Sequence, residues 1–261
     1  MEAVLHTENL SIGYSHKGKN NYVRTELNLP VYQKDLIAII GPNGCGKSTL
    51  LKTLAGLLTP LSGKIKIRQK DIQLMTIRQK AKIISLVLTD PVKVGGLSVL
   101  DLISMGRFPY TNWVGKLTLD DKNIIHEAIN MIGLNGYENR LLMMLSDGEK
   151  QRVMIAKALV QDTPIIFLDE PTAHLDLNNR IEILSLLRTI CEKTEKSILI
   201  STHELDLALK LSNRIWLMDN QLGIYDETPN NIISSNILKN IFPNCLLFFN
   251  ENGTLEYDLN H

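Results

Sequence analysis

The chain has 261 residues, of which 44% are hydrophobic and 21% are charged, a composition that excludes a disordered chain and allows a substantial core. Lys and Arg together number 28, as do Asp and Glu, so the molecule lacks the overall basic field that favours nucleic acid, and we expect no nucleic-acid partner. No apolar run approaches the roughly 18 residues of a membrane span, and no signal layout opens the chain. The protein is expected in the cytoplasm.

The first third of the chain is predicted to form strands and turns. Residues 23–31 partly alternate between apolar and polar, which is typical of a half-buried strand. Leu36–Ile40 is a continuous apolar run, as expected for a strand buried on both faces of a parallel sheet. A Gly-rich turn and a helix over 48–58 follow, and residues 63–68 alternate again as a surface strand.

The middle of the chain, about 91–162, has a helical pattern. Three segments resemble capping boxes, which begin helices by satisfying free backbone N–H groups: Ser98 to Asp101, Thr118 to Asp121 and Ser146 to Glu149. The second is followed by one apolar helical face, formed by Ile125, Ala128, Ile129 and Ile132.

Buried-strand runs return at 165–168 and 197–201, with an amphipathic helix between them marked by Ile181, Leu184, Leu187 and Ile190. Strand, helix and strand around a helical insertion predict an α/β plan built on βαβ units. Residues 231–242 are predicted to be helical. Asn252-Gly253 then predicts a β-hairpin, in a small appendage without chemistry of its own.

A phosphate-binding loop is predicted directly after the first buried strand. The pattern G-x-x-x-x-G-K-[ST] is matched by Gly41, Pro42, Asn43, Gly44, Cys45, Gly46, Lys47 and Ser48, with Thr49 next in the helix. The glycines let backbone N–H groups point at phosphate oxygens, and the helix start adds its positive dipole end. Lys47 would neutralise β- and γ-phosphate charge, and the Ser48 hydroxyl would bind Mg²⁺.

Two carboxylates complete the predicted site. Asp169 and Glu170 follow the apolar run 165–168, at the strand end where open α/β sheets bind ligands. Asp169 is expected to hold the Mg²⁺ shell through water, and Glu170 to polarise an attacking water. Without the phosphate loop upstream, the same pair would read equally well as two solvated acids.

A third string points to one family. Leu145-Ser146-Asp147-Gly148-Glu149-Lys150-Gln151-Arg152 lies upstream of the Asp-Glu strand and resembles the LSGGQ signature of ATP-binding cassette (ABC) transporter subunits. In that family the signature helix reaches the γ-phosphate of ATP held by a partner subunit, which implies a homodimer. Ser146, Gly148 and Glu149 would then contact ATP. Asp147 and Glu149 depart from the pattern, and the Asp147 side chain is expected to face outward, away from phosphate charge.

The resemblance implies further site residues. Tyr14 matches the aromatic residue that stacks on adenine, although a half-buried strand tyrosine is the competing interpretation. Asp176 matches the D-loop residue that contacts the opposite subunit, and His203 matches the switch histidine beside the γ-phosphate. The family's Gln after the third strand is replaced by Thr89, which would touch Mg²⁺ through water unless Asp90 substitutes for it.

The string Gly106-Arg107-Phe108-Pro109-Tyr110 resembles the branch that serves importers of iron chelates, haem and cobalamin. The resemblance implies that Pro109 and Tyr110, with Trp113, face the integral membrane permease subunits, while internal packing of the insertion is the alternative. It also implies an indirect partner, the substrate-binding protein, and a position on the inner face of the cell membrane.

The implied fold is a P-loop NTPase (RecA-like) α/β core with an antiparallel β subdomain and an inserted helical subdomain. The nucleotide-binding domain would span 1–235, with the insertion at about 91–162 and a C-terminal extension at 236–261. The expected function is hydrolysis of ATP, with Mg²⁺ as cofactor, to drive import. Two alternatives stay open at this point: a soluble ABC ATPase without a permease, and a nucleotide-gated module that does not hydrolyse ATP.

Overall fold

The computed structural model describes residues 2–89, 96–112, 115–219, 223–235, 237–238, 247–249 and 255–257. Numbered in chain order, its strands are β1 Leu5–His16, β2 Lys19–Leu27, β3 Pro30–Val31, β4 Leu36–Ile40, β5 Ser62–Ile67, β6 Lys70–Asp71, β7 Ile84–Val87, β8 Ile165–Asp169, β9 Ser197–Ser201, β10 Arg214–Met218, β11 Ile224–Glu227, β12 Leu247–Phe249 and β13 Leu255–Tyr257. Its helices are α1 Lys47–Leu54, α2 Ile77–Ala81, α3 Val99–Ser104, α4 Leu119–Met131, α5 Asp147–Val160, α6 Leu177–Lys193, α7 Leu205–Leu211 and α8 Pro229–Ser234.

A six-stranded sheet forms the centre of the fold, in the order β11-β10-β4-β9-β8-β7. All neighbours are parallel except β10 and β11. In β4, Leu36, Ala38 and Ile40 point into one apolar core, and Ile37 and Ile39 into the other. Burial on both faces therefore explains the uninterrupted apolar run. The parallel pairing of the strands sets the carboxyl ends of β4, β8 and β9 side by side.

An antiparallel sheet covers one face, in the order β2-β1-β5-β6, with β3 also paired to β1. Its apolar side chains share a core with α1 and with that face of the central sheet. The prediction of one strand over 23–31 was wrong, because the chain is divided there into β2 and β3. Glu26 has a positive φ of 57°, and the Asn28 side chain donates to the Glu26 carbonyl, so the chain turns between the two strands.

The helical insertion packs over the opposite face through α3, α4 and α5. All three predicted capping boxes are confirmed, with Ser98, Thr118 and Ser146 each accepting from the backbone three residues on. The apolar face predicted for α4 is also confirmed, since Ile125, Ala128, Ile129 and Ile132 are buried. Local capping chemistry therefore sets where the insertion's helices begin.

Three helix predictions need adjustment. Helix α1 ends at Leu54, before the predicted Leu58, because the Leu57 amide turns back to the Lys52 carbonyl at 2.9 Å. Helix α6 buries Ile183 in place of Ile181, which is exposed. Helix α8 begins earlier than predicted, at Pro229, a favoured first helical residue, and ends at Ser234; residues 239–242 lie outside the described part.

At the C-terminal end, β12 and β13 pair antiparallel; Asn252 and Gly253, predicted to form the turn, lie outside the described residues. The predicted fold class, an α/β core with an antiparallel sheet and a helical insertion, is confirmed. Among the described residues, none of the helices is both long and apolar enough to cross a bilayer.

Candidate active site

The phosphate loop lies between β4 and α1, as the sequence predicts. Gly46 precedes the helix with a φ of +106°, and a Cβ atom there would lie 2.3 Å from Val23 Cγ1. Any larger residue would be strained in its backbone and would collide with β2. The loop is therefore held close to the antiparallel sheet, with the amino end of α1 opening towards the carboxyl edge of the central sheet.

The Lys47 ammonium folds back across the loop. Its Nζ donates to the carbonyl oxygens of Gly41 at 2.9 Å and Pro42 at 3.3 Å. Burial lowers the pKa of Lys47, an effect that the negative charges of neighbouring groups, including Asp169 and Glu170, oppose. An anion entering the loop would meet a cation already held by neutral carbonyls.

Asp169 is the meeting point of three elements. Its Oδ1 accepts from Ser48 Oγ at 2.8 Å and from Ser201 Oγ at 2.7 Å. The Thr89 hydroxyl donates to the Asp169 backbone carbonyl at 2.8 Å. The site therefore combines a buried carboxylate with hydroxyls from the loop and from the ends of the strand regions on either side of β8.

Glu170 and His203 face each other at the same edge. Glu170 Oε1 and His203 Nε2 are 2.5 Å apart, and both side chains retain solvent access. Glu170 has a positive φ of 49°, unusual for a residue with a side chain, and its amide donates to Ser201 Oγ at 2.8 Å. The carboxylate and the imidazole are thus both available to a ligand at the mouth of the site.

Tyr14 stands at the rim of the loop. Half of its surface is exposed, and its hydroxyl lies 3.0 Å from Thr49 Oγ1, on the helix that follows the loop. This places an accessible aromatic ring next to the phosphate loop, although the residues are 35 positions apart in sequence.

A second cluster contains Ser146, Gly148, Glu149 and Asp176. Ser146 N donates to Glu149 Oε2 at 2.7 Å, and Glu149 N donates to Ser146 Oγ at 3.3 Å. Asp176 caps α6 by accepting from the backbone and side-chain nitrogens of Asn179, each at 2.8 Å. Gly148 packs against that Asn179 side chain. Within the described part of the chain, none of the four hydrogen-bonds to the phosphate loop.

The two acidic departures in the signature have clear structural roles. Asp147 is exposed and pairs with Lys150 at 3.1 Å, so its side chain faces solvent; its orientation away from a bound phosphate stays a prediction. The hydrogen bond from the Ser146 backbone amide is the main cause that lowers the pKa of Glu149. The Ser146 side chain, Tyr137 and Arg140 lower this pKa further. A Glu thus performs the capping role that a Gln can also perform.

The 106–110 string contributes both buried and exposed side chains to the helical insertion. Arg107 is buried, donates to Asp121 at 2.7 Å and to the Val160 carbonyl at 2.8 Å, and its guanidinium lies 4.1 Å from the centre of the Tyr110 ring. Internal packing, the alternative interpretation, is therefore correct for Arg107, whereas Pro109 and Tyr110 are only partly buried and their contact with a permease stays a prediction. Phe108 is the exposed aromatic residue, at 58%. Trp113 and Asp90 lie outside the described residues.

Two residues of the site were not assigned a role from the sequence. Ser201 touches both Asp169 and Glu170, and Asn179 joins Gly148 to Asp176. The only sequence signal for Ser201 is a hydroxyl at the end of a strand whose interior is Ile-Leu-Ile, because a buried hydroxyl there needs a partner. Asn179 carries no comparable signal.

Comparison with known proteins identifies the family of this chain. The family model described as ABC transporter matches residues 25–173. An uncharacterised ABC transporter ATP-binding protein of Methanocaldococcus jannaschii is 37% identical, over 92% of this chain and 81% of its own length. The iron(3+)-hydroxamate import ATP-binding protein FhuC of Bacillus subtilis is 35% identical, over 91% of this chain and 87% of its own.

Two solved structures are similar to this chain over most of its length and of their own. A chain of an inward-facing transporter described as metal-chelate type has a TM-score of 0.81 at 28% identity, covering 98% of this chain and 96% of its own. A dimeric ATP-binding cassette in a post-hydrolysis state with ADP and Pi has a TM-score of 0.73 at 25% identity, covering 86% of this chain and 98% of its own. The chain belongs to the ABC transporter family, as an ATP-hydrolysing cassette.

Proposed function

We propose that this cassette powers an importer of iron chelates, with haem and cobalamin as the related cargoes. The observation that carries the proposal is the similarity, along nearly the whole chain, to a protein named for iron(3+)-hydroxamate import and to a chain of a metal-chelate type transporter. The subunit would work at the inner face of the cell membrane. It need not touch the cargo, because its role is to convert ATP binding and hydrolysis into movement of the permease.

The proposed working unit is a homodimer with ATP between its subunits. One chain contains two candidate anion sites, the phosphate loop and the exposed helix start at Ser146, and one nucleotide does not need both from the same chain. Ser146, Gly148, Glu149 and Asp176 would therefore serve the nucleotide held by the partner's loop. The exposed Met143, Met144 and Leu177 beside this cluster fit a surface that a second copy covers.

The residues around Asp169 fit Mg²⁺. A carboxylate and a hydroxyl, Asp169 and Ser48, lie in direct contact at 2.8 Å, and Mg²⁺ prefers a few such oxygens supplemented by water and phosphate. Thr89 is adjacent but donates to the Asp169 carbonyl, so it would act through Asp169 or through water. When bound, Mg²⁺ would neutralise charge that develops on the transferred phosphoryl group.

The chain's own residues would perform the remaining chemistry by position and charge. Lys47 and the loop amides would bind the β- and γ-phosphates, and Tyr14 would stack on the base. Glu170 would orient the attacking water, while His203 would donate a hydrogen bond to the γ-phosphate. Their present contact means that each side chain must reorient to serve a nucleotide.

The permease is proposed to dock on an apolar surface formed by Leu74, Ile77 and Phe108. Leu74 and Ile77 are 86% and 87% exposed. Arg78 joins the two sides of this surface, because its guanidinium donates to the Pro109 carbonyl at 2.9 Å and to the Thr111 carbonyl at 3.1 Å. A short helix seated there would contact the core and the helical insertion together, and so would sense their relative movement.

The proposal is tested by uptake of radiolabelled ferric hydroxamate, haem and cobalamin in cells lacking this chain. We expect the unmodified chain to restore uptake, and Glu170→Gln to restore none while still co-purifying with the permease. Ile77→Ser should weaken co-purification, whereas Leu119→Ser, at a leucine on α4 that is 75% exposed, should not. Restored uptake of none of the three cargoes, or no associated multi-span membrane protein, would argue for a soluble ATPase instead.

A further inference from the structure

We propose that Ser201 is a positioning residue for ATP hydrolysis, which fixes the Asp169 carboxylate and the Glu170 backbone relative to each other. The inference rests on the ATPase activity of the family and not on the imported cargo. It therefore stands or falls separately from the assignment to iron chelates.

The geometry places Ser201 between the two acidic residues. Strands β8 and β9 are parallel neighbours, and Asp169 and Ser201 are direct register partners at their carboxyl ends. The hydroxyl donates to Asp169 Oδ1 at 2.7 Å and accepts from Glu170 N at 2.8 Å. One oxygen atom thus makes a donor and an acceptor contact with consecutive residues, which fixes both in direction as well as distance.

Burial makes these two bonds significant. Ser201 is 0% exposed, so its hydroxyl has no water with which to exchange partners. The Glu170 amide belongs to a residue with a φ of 49°, a conformation that needs support from its surroundings. Without the Ser201 oxygen, this amide would lose its partner and the turn that aims the Glu170 side chain would be free to relax.

Ser201 also differs from the other hydroxyl on Asp169. Ser48 belongs to the phosphate loop and is the hydroxyl proposed to serve the metal and nucleotide, whereas Ser201 comes from the sheet. Ser201 is therefore the donor expected to stay with Asp169 when the loop binds its ligand. Residues that hydrogen-bond a metal-binding carboxylate orient it, and their removal typically lowers metal affinity or activity by about 10- to 100-fold.

A matched control lies on the same strand. Ser197, at the opposite end of β9, is equally buried and donates to the Tyr32 carbonyl at 2.8 Å, far from the acidic pair. Ser197→Ala removes one buried hydroxyl bond from the same element. It measures the purely structural cost of losing a serine from β9.

The test compares Ser201→Ala, Ser201→Thr and Ser197→Ala in the purified chain. For Ser201→Ala we expect kcat to fall by about 10- to 100-fold. Mg²⁺ should strengthen binding of a fluorescent ATP analogue, and the Mg²⁺ concentration that gives half of this effect should rise by about 10-fold. Affinity for the same analogue in EDTA should stay within about twofold, because the loop is intact. Ser201→Thr, which keeps the hydroxyl, should recover most of the lost kcat.

Thermal unfolding separates a positioning role from a structural one. The proposal requires that the kcat of Ser197→Ala stays within about twofold of that of the unmodified chain. This must hold even if Ser197→Ala and Ser201→Ala lower Tm equally. The proposal is overturned if Ser201→Ala keeps the kcat and Mg²⁺ dependence of the unmodified chain. Equal losses of kcat in the Ser197 and Ser201 variants would overturn it as well.

Discussion

The Glu170 carboxylate and the His203 imidazole are in direct contact, with 2.5 Å between Oε1 and Nε2. They come from the ends of β8 and β9, adjacent strands of the central sheet. A hydrogen bond or ion pair between them holds both groups at the mouth of the site. The two side chains with proposed catalytic roles are therefore already neighbours, 33 residues apart in sequence.

Replacing Glu170 by Gln should separate binding from turnover. We expect ATP binding to be kept, because Lys47 and the loop are untouched, while kcat falls by about 100-fold or more since the amide cannot act as a base. The variant should accumulate as an ATP-bound dimer in size-exclusion chromatography. Glu192→Gln, at an exposed acid on α6 paired with Arg188, is the control. A Glu170→Gln turnover within about twofold of the control would contradict the role.

Alkylation of Cys45 should abolish ATP binding, and bound ATP should protect the thiol. The Cys45 side chain is buried under the loop, near Gly41 and within the apolar core that includes Met218, so an added group would push the loop out of its present shape. Burial raises the pKa of Cys191 to about 12, which makes that thiol a poor competitor for the reagent. Mass spectrometry with and without ATP measures the protection, and Cys45→Ala should remove it. Normal ATP binding by protein alkylated at Cys45 would show that this loop does not hold the nucleotide.

Gly148→Ala should impair turnover through a single contact. Alanine normally favours a helix over glycine by about 1 kcal/mol, but a Cβ here would lie 2.4 Å from Asn179 Oδ1. Displacing the Asn179 side chain would break the hydrogen bond from its Nδ2 to Asp176 Oδ2, at a cost of about 1 kcal/mol. We expect kcat to fall by about 10-fold and the double variant with Asn179→Ala to recover part of it. A double variant no better than Gly148→Ala would exclude this contact as the cause.

The buried pair Arg107–Asp121 should give the helical insertion an acid-sensitive stability. Bonds from Thr118, chiefly its backbone amide, together with Arg107, lower the pKa of Asp121. A carboxyl whose folded-state pKa is depressed contributes stability above its unfolded pKa of about 4, and this is lost as pH falls through the folded-state value.

Asp121→Asn should therefore lower the free energy of unfolding at pH 7 by about 3 kcal/mol, because it leaves the Arg107 charge buried and unpaired. Urea unfolding from pH 7 to pH 3 measures the difference, which should shrink at the acid end as Asp121 of the unmodified chain becomes protonated. Asp120→Asn, at its exposed neighbour, should change little at any pH. A difference that stays constant over this range would contradict the assignment of the stability to the Asp121 charge.

The elements that carry the candidate nucleotide site could be predicted because their signals are local. The phosphate loop has a fixed spacing, and the strand before it and the helix after it are defined by continuous apolar burial and by the helix start at Lys47. The capping boxes likewise act over three residues, so Ser98, Thr118 and Ser146 were located correctly as the starts of their helices. A pattern with short sequence separation can be read directly from the chain.

The contacts that only the tertiary structure decides join residues far apart. Ser201 meets Asp169 because β8 and β9 are parallel and in a particular register. Arg107 turns inward because Asp121 and the Val160 carbonyl lie within its reach, which the spacing of the 106–110 string does not encode. The sequence by itself determined the chemical groups and the elements that carry them. Packing of the sheet and insertion decided which of those groups touch, because register and burial depend on the whole core and not on any local pattern.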